Sequence, residues 1–355
     1  MQNDPVDPSV VLREYDLGII HSVTQAGGTA GRTWKVSASS GEYFLRMRGV
    51  RTSAEPRLRF DHGLRKHLIT RGVPTASAVQ TRKNDKWVRA SGRVYEVYPF
   101  VFGHPFRSES EREIASAAQA LAEFHKAAAD YKPLLPKKEA IAQYTTLGFS
   151  NETSDRMDDP RLQAINMIAV REVATTAHDQ KLVDRCIARV EDSMHVYAGT
   201  AYVRLTGWVI HGDYTPANLL FSEDGEVVGI FDFDWAVPGA RCRDVADGLY
   251  FFATQPREID SSDIWSLTNA ADFSLHRCLV FLEAYQSIAP LAPHEIEAIP
   301  SAFAGRWFSI RLEGMAKVHR NERFRFFSRE IEKPLRWLDT NWVYLRKQLG
   351  GNQEK

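Results

Sequence analysis

Cysteine is scarce in this chain of 355 residues: there are three, at positions 186, 242 and 278, and no two share a C-x-x-C spacing. That excludes a zinc ribbon and a disulfide framework, and leaves reduced thiols, as expected of a cytoplasmic protein. Net charge is missing as well, with 45 Lys and Arg against 45 Asp and Glu. Neither a nucleic-acid footprint nor a polybasic membrane anchor fits that balance. No apolar run approaches the roughly 18 residues of a membrane span. The opening MQNDPVDPSVVL carries acids and prolines where a secretory signal has a basic and then an apolar stretch. No internal repeat and no low-complexity tract is present. The remainder, 44% hydrophobic and 25% charged, is the composition of a soluble globular protein, long enough to divide into two lobes.

What is present concentrates in residues 211–234, HGDYTPANLLFSEDGEVVGIFDFD. An acid, Asp213, lies two residues after His211 and five before Asn218, and a second acid, Asp232, ends an apolar run. Gly212 and Pro216 break helix, so His211–Asn218 is expected to be a loop in which Asp213 and Asn218 face one cavity. Val227–Phe231 is rich in β-formers and follows the turn signal Glu223-Asp224-Gly225, which predicts a hairpin with Asp232 at its strand end. A polar turn before a buried hairpin is the plainer reading. Phosphoryl transfer, however, needs a carboxylate to accept a hydroxyl proton and oxygen ligands for Mg²⁺. H-x-D-x-x-x-x-N followed by a strand ending in Asp supplies both at protein-kinase spacing. The segment resembles the catalytic loop and metal-binding segment of the aminoglycoside phosphotransferase, choline kinase and homoserine kinase-like superfamily.

The resemblance implies a bilobal protein-kinase-like fold of the α+β class, with a small antiparallel-sheet lobe over residues 1–98 and a larger, mostly helical lobe over 99–355. It makes Asp213 the catalytic base and His211 an organiser of its loop. Asn218 and Asp232 become Mg²⁺ ligands, and Asp234 either reaches the metal or caps the strand end. The phrase DWAVPGARCRDVADGL matches the superfamily's following stretch, so Asp244 is expected to open a helix and brace the catalytic loop through backbone hydrogen bonds.

Residues 19–48 read as three strands joined by a glycine-rich turn and an SSGE turn. Glycine lets a backbone approach phosphates closely. By the resemblance Gly27 and Gly28 belong to a nucleotide loop, with Gly31 where Asn is common and Trp34 near an aromatic position. A plain hairpin turn is the alternative. Arg46, near the end of the third strand, stands where kinases place a phosphate-gripping Lys. FDHGLRKHLITRGVP resembles a helix whose Glu would be Asp61 here, giving an Arg46–Asp61 pair. Arg48 and Arg51 compete for the role, and a strand-end surface charge is the bland option. A second hairpin turns at Ala90-Ser91-Gly92, and YEVYPFVFG then reads as the hinge, with backbone groups of Pro99 and Val101 on adenine and Gly103 ending the connection.

A capping box at Ser108–Glu111 predicts a helix to about Asp130 with Ile114, Ala118, Leu121, His125 and Ala128 on its buried face, His125 being a core histidine. The aromatics of the last hundred residues, Trp265, Trp307, Phe308, Phe324, Phe326, Phe327, Trp337 and Trp342, read as core. The helix around Trp307, Arg311 and Glu313 is a candidate wall of the acceptor site. Residues 132–205 hold ten basic and ten acidic side chains and residues 260–355 thirteen and twelve, a balance that leans away from a polycationic acceptor.

The reading is an enzyme moving the γ-phosphoryl group of ATP, or GTP, to a small-molecule hydroxyl, with no nucleic-acid or membrane partner. Amino alcohols, sugars and aminoglycosides remain open as acceptors. Rival readings are a protein serine/threonine kinase of the same fold, a nucleotide-binding pseudokinase with a regulatory role, and a binding protein unrelated to phosphate.

Overall fold

A computed structural model of the chain describes residues 7–26, 33–49, 52–132, 160–196, 204–255, 263–269 and 272–350. Helix α1 (Pro8–Leu12) precedes strands β1 (Ile20–Ala26), β2 (Thr33–Ala38) and β3 (Gly41–Met47). Helix α2 (Glu55–Thr70) follows, then β4 (Val88–Ala90) and β5 (Arg93–Pro99). The five strands form one antiparallel sheet in the order β1-β2-β3-β5-β4. The β4–β5 turn has positive φ at Ser91 (47°) and Gly92 (73°), the backbone that matches a tight hairpin to strand twist.

Alternation divides the sheet's two faces. Trp34, Val36, Leu45, Tyr95 and Val97 share a core with Val11, Leu12, Tyr15 and Leu17 of the amino-terminal segment. Trp34 is thus a core residue of this lobe. The residues between them in sequence, Arg46, Glu96 and Tyr98, point to the other face, and Arg46 stands opposite Glu96 in the register. That face carries buried charge rather than oil, and it looks toward the catalytic segment.

The connection out of the sheet is tightly held. Phe100 donates its N–H to Glu42 (2.9 Å); because a trans peptide sets its C=O opposite its N–H, the Pro99 carbonyl faces away from β3. His104 and Phe221 exchange backbone hydrogen bonds of 2.8 and 2.9 Å. A Cβ on Gly103 would lie 2.9 Å from the Phe221 carbonyl and 3.0 Å from Val228, so glycine is what permits this approach.

Beyond that connection, α3 (Glu111–Ala128) begins two residues later than its expected cap: Ser110, not Ser108, accepts the Glu113 N–H. Its predicted face is buried throughout. Helices α4 (Pro160–Glu172) and α5 (Ala177–Val196) precede β6 (Thr206–Ile210). Strands β7 (Leu219–Phe221) and β8 (Val227–Ile230) make the expected hairpin, and β9 (Val237–Ala240) pairs with β6. The remaining helices are α6 (Cys242–Phe252), α7 (Leu275–Ile288), α8 (Pro293–Met315), α9 (Arg323–Ser328) and α10 (Lys333–Gly350). α3 packs along α7, and α6 along α8. Trp307, Phe308 and Phe327 are buried in this core, and Phe326 is buried as well, as their aromatic stripe predicts. Among the described residues no helix is long and apolar enough to cross a membrane.

Candidate active site

The loop His211–Asn218 crosses from β6 to β7 and is held from beneath. Asp244, in the first turn of α6, accepts hydrogen bonds from the backbone N–H groups of His211 (2.6 Å) and Gly212 (2.9 Å). Its carboxylate also contacts His125 Nε2 at 3.1 Å, while His125 Nδ1 meets the Tyr285 hydroxyl at 2.8 Å. Burial alone would raise the Asp244 carboxyl, but His125, His211 and the Gly212 N–H hold it below the usual carboxylate range. His125 is fully buried and depressed by that burial, a core histidine as its sequence context predicts.

His211 is also fully buried. Its Nε2 lies 2.8 Å from the Phe231 carbonyl, to which it donates, and its Nδ1 lies 3.4 Å from the Asp213 N. It ties the loop to the end of the hairpin. Gly212 has φ +79°, and a Cβ there would run into the Trp235 carbonyl.

The loop brings Asp213 and Asn218 together, with the Asn218 amide donating to the Asp213 carbonyl (2.8 Å) and to Asp213 Oδ2 (3.2 Å). The hairpin then delivers Asp232 in the left-handed region (φ 56°, ψ 64°), where only strong local context keeps a non-glycine residue. Asp232 accepts from Arg46 Nη2 at 2.9 Å through one oxygen, and its side chain is about one-third exposed (31%). Burial and the neighbouring Asp234 and Asp213 push its carboxyl upward against the pull of Arg46.

Two expectations change here. Asp61 is not paired with Arg46. It holds Arg48 Nη1 at 2.6 Å and Arg65 Nε at 3.1 Å, while Arg46 Nη2 is shared between Asp232 and Asp234 (2.7 Å). The reason is the pleat: residues 46 and 48 share a face, and α2 brings Asp61 to the second of them. Asp234, considered as a metal ligand, has both oxygens committed. One accepts from Arg46 and from Thr52 (2.8 Å), and the other pairs with Arg48 Nη2 at 2.7 Å. It anchors the arginines of the sheet to the catalytic segment. Burial raises its carboxyl, yet Arg46 and Arg48 bring it below the ordinary value.

Other participants escaped the sequence reading. Glu96 is fully buried, bonded to Arg48 (3.0 Å) and His62 (2.9 Å); burial raises its carboxyl, but the Arg48 charge and the His62 hydrogen bond hold it at about 2. An acid inside an otherwise apolar strand was the available signal. From α8, Arg306 Nη2 reaches Asp213 Oδ1 at 2.7 Å, and its Nε lies 3.2 Å from Asp247. Asp247 is one turn beyond Asp244 on α6; burial pushes it up to about 7, with Arg306 offsetting part of the cost. Trp307 and Arg311, the expected acceptor wall, are core: Trp307 Nε1 donates to Ile331, and Arg311 donates to the carbonyls of Phe326 and Thr268. Gly27, Gly28, Gly31 and Arg51 lie outside the described residues. Pro99 ends β5 opposite Tyr43 and Val101 lies in the connection beyond it, whose Gly103 and His104 lie against the β7–β8 hairpin.

The comparisons with known proteins agree with this geometry. The family model of the phosphotransferase enzyme family, APH, matches residues 23–267. A homoserine kinase of Parvibaculum lavamentivorans is 26% identical over 290 residues, covering 81% of this chain and 78% of that one. A homoserine kinase of Methylobacterium nodulans is 26% identical over 291 residues, with the same coverage of each chain. Among solved structures, a microcompartment-associated aminopropanol kinase has a TM-score of 0.65 at 15% identity, covering 94% of this chain and 96% of that one. An amicoumacin kinase in complex with AMP-PNP and Ca²⁺ has a TM-score of 0.63, also at 15% identity, covering 93% and 94%. These folds are bilobal and kinase-like, as this one is. With its family match spanning most of the chain, and with an acid and amide set at its centre that suits phosphoryl transfer, the protein belongs to the phosphotransferase enzyme family and is a kinase that transfers phosphate to a hydroxyl.

Proposed function

We propose that the protein transfers the γ-phosphoryl group of ATP to the hydroxyl of a small molecule, with Asp213 as the base. The observation that carries the proposal is the clustering of Asp213, Asn218 and Asp232, joined by the Asn218–Asp213 and Phe231–Asn218 hydrogen bonds and held by His211 and Asp244 from below and by Arg46 from the sheet. The division at the hinge, residues 1–98 and 99–355, is the boundary we assign between the nucleotide lobe and the acceptor lobe.

The donor set fits a hard divalent cation. Asn218 uses its N–H groups on Asp213, which leaves its amide oxygen as a ligand, and Asp232 engages Arg46 through one of its two oxygens. Burial first, and then the neighbouring Asp234 and Asp213, raise Asp232, and a cation beside it relieves that cost. Asn218 and Asp232 are the residues that would hold Mg²⁺, which when bound neutralises charge on the phosphates. Arg46 keeps further N–H donors on its planar fork, enough to grip a phosphate from the position it holds. The outward-facing Pro99 carbonyl and the Val101 backbone suit the adenine edge. The work left to the protein is positioning and proton acceptance, the usual division of labour in phosphoryl transfer.

The test is an ATP-consumption screen over amino alcohols, hydroxy amino acids, sugars and aminoglycosides, run on the wild type and on Asp213→Asn. The expected result is Mg²⁺-dependent ADP release with at least one acceptor, reduced roughly 100- to 10,000-fold in the variant, with nucleotide binding retained. A variant that kept most of its turnover would remove Asp213 from the base role.

A further inference from the structure

The base is not free in this structure. Asp213 Oδ1 is taken by Arg306 Nη2 at 2.7 Å and Oδ2 by the Asn218 amide at 3.2 Å. The Asn218 contact also bonds the Asp213 carbonyl and so belongs to the loop's own architecture. Arg306 comes from a separate element and is the contact that can yield. Its side chain is about one-quarter exposed (24%), as is that of Asp213 (28%), whereas Asp247 behind it is almost covered (7%). The guanidinium therefore stands at the open side of the cleft, between the base and a buried carboxylate.

The contrast with Arg311 on the same helix is informative. Arg311 is fully buried, with carbonyl oxygens as its partners, which is a structural use of arginine. Arg306 instead meets the side chain that must accept the substrate proton. With Arg306 on Oδ1 and the Asn218 amide on Oδ2, a hydroxyl meets Asp213 most readily when Arg306 swings off it. Stripping a guanidinium of a carboxylate partner in a poorly solvated site is costly unless another anion replaces it. An acceptor that brings its own carboxylate makes that exchange, and the planar fork of arginine grips a carboxylate at two points. A purely cationic acceptor offers no replacement, and it meets a positive charge at the cleft.

We infer that the acceptor carries a carboxylate beside its hydroxyl, and that Arg306 is the specificity-determining residue that recognises the carboxylate as it leaves Asp213 free to take the hydroxyl proton. This rests on the phosphotransferase reading above. Atoms balance simply: the hydroxyl proton passes to Asp213, the hydroxyl oxygen bonds the γ-phosphorus, and the bond from that phosphorus to the ADP oxygen breaks. Arg306 only exchanges one carboxylate for another.

The experiment uses the full chain with Mg-ATP and three acceptors that differ by one group each: L-homoserine, 4-hydroxybutyrate, which lacks its amine, and 3-amino-1-propanol, which lacks its carboxylate. Wild type should favour a carboxylate-bearing acceptor over 3-amino-1-propanol by roughly tenfold or more in kcat/KM, the scale of one charged hydrogen bond. Arg306→Gln should collapse that ratio toward one, chiefly by raising KM for the carboxylated acceptors, and Arg306→Lys should restore part of it. A merely structural Arg306 would leave the ratio unchanged, and that result overturns the inference. So does turnover confined to acceptors without an anion, in which case the phosphotransferase reading stands. If wild type neither phosphorylates an acceptor nor gains thermal stability with Mg-ATP, both readings fall together. Thermal midpoints establish that the variants fold, and the wild-type comparison decides the matter alone if they do not.

Discussion

Asp213 and Asp244 are both acids at the catalytic loop, and the structure gives them different work. Asp213 is partly exposed and faces the cleft, while Asp244 is fully buried beneath the backbone of His211 and Gly212. Asp213→Asn should therefore lose turnover with little change in melting temperature. Asp244→Asn should lose turnover and also roughly 3 kcal/mol of stability, because a buried acceptor of three donors is disturbed. Thermal unfolding run alongside initial rates separates the two, and equal melting temperatures would contradict the bracing role of Asp244. Both acids were legible in the sequence from the H-x-D-x-x-x-x-N spacing and the phrase after it. Arg306 was not, since nothing beside Trp307 in the chain marks a residue that meets a loop 93 positions earlier.

At the level of elements, short-range signals fix the turns. The Ala90-Ser91-Gly92 and Glu223-Asp224-Gly225 turns carry their own dihedral signals, and both hairpins formed. The start of α3 lies two residues later because two serines can serve as caps, and the choice fell to Ser110, whose hydroxyl meets the Glu113 N–H. The hinge shows what an element needs from its neighbour. Gly103 lets the connection lie against the β7–β8 hairpin, within 3.1 Å of where a Cβ would meet Leu220. Gly103→Ala should push the hinge from the hairpin and raise KM for ATP several-fold, a consequence of about 1–3 kcal/mol of overpacking. Steady-state kinetics with ATP varied would show it, and an unchanged KM would separate the hinge from nucleotide binding.

Across the whole molecule the absence of net charge hides a concentration of charge at the junction of the sheet and the catalytic segment. Arg46, Arg48 and Thr52 from one side meet Asp232 and Asp234 from the other, with Asp61, Arg65 and Glu96 closing the network behind. Removing one member strands a buried partner, so Glu96→Gln should cost roughly 3 kcal/mol at neutral pH. The sign with pH follows from a folded value of about 2 against an unfolded value of about 4.3. Stability contributed by Glu96 is complete above the unfolded value and is lost as the pH falls from there through about 2. Denaturant unfolding at neutral pH and near pH 3 should show a shallower acid loss in Glu96→Gln than in wild type, and parallel curves would refute the buried ion pair.

The sequence by itself determined the chemistry: an acid, an amide and a second acid at fixed spacing, on a loop and a strand end whose local signals are short-range. It also determined the alternation that puts Arg46 and Arg48 on one face of β3. Only the tertiary structure decided who meets whom. Asp61 takes Arg48 rather than Arg46, Asp234 holds arginines, and Arg306 reaches Asp213 from a helix far along the chain. Charge pairing depends on distances between separate elements, and those distances are set by how helices and sheet pack, which no local pattern of residues encodes.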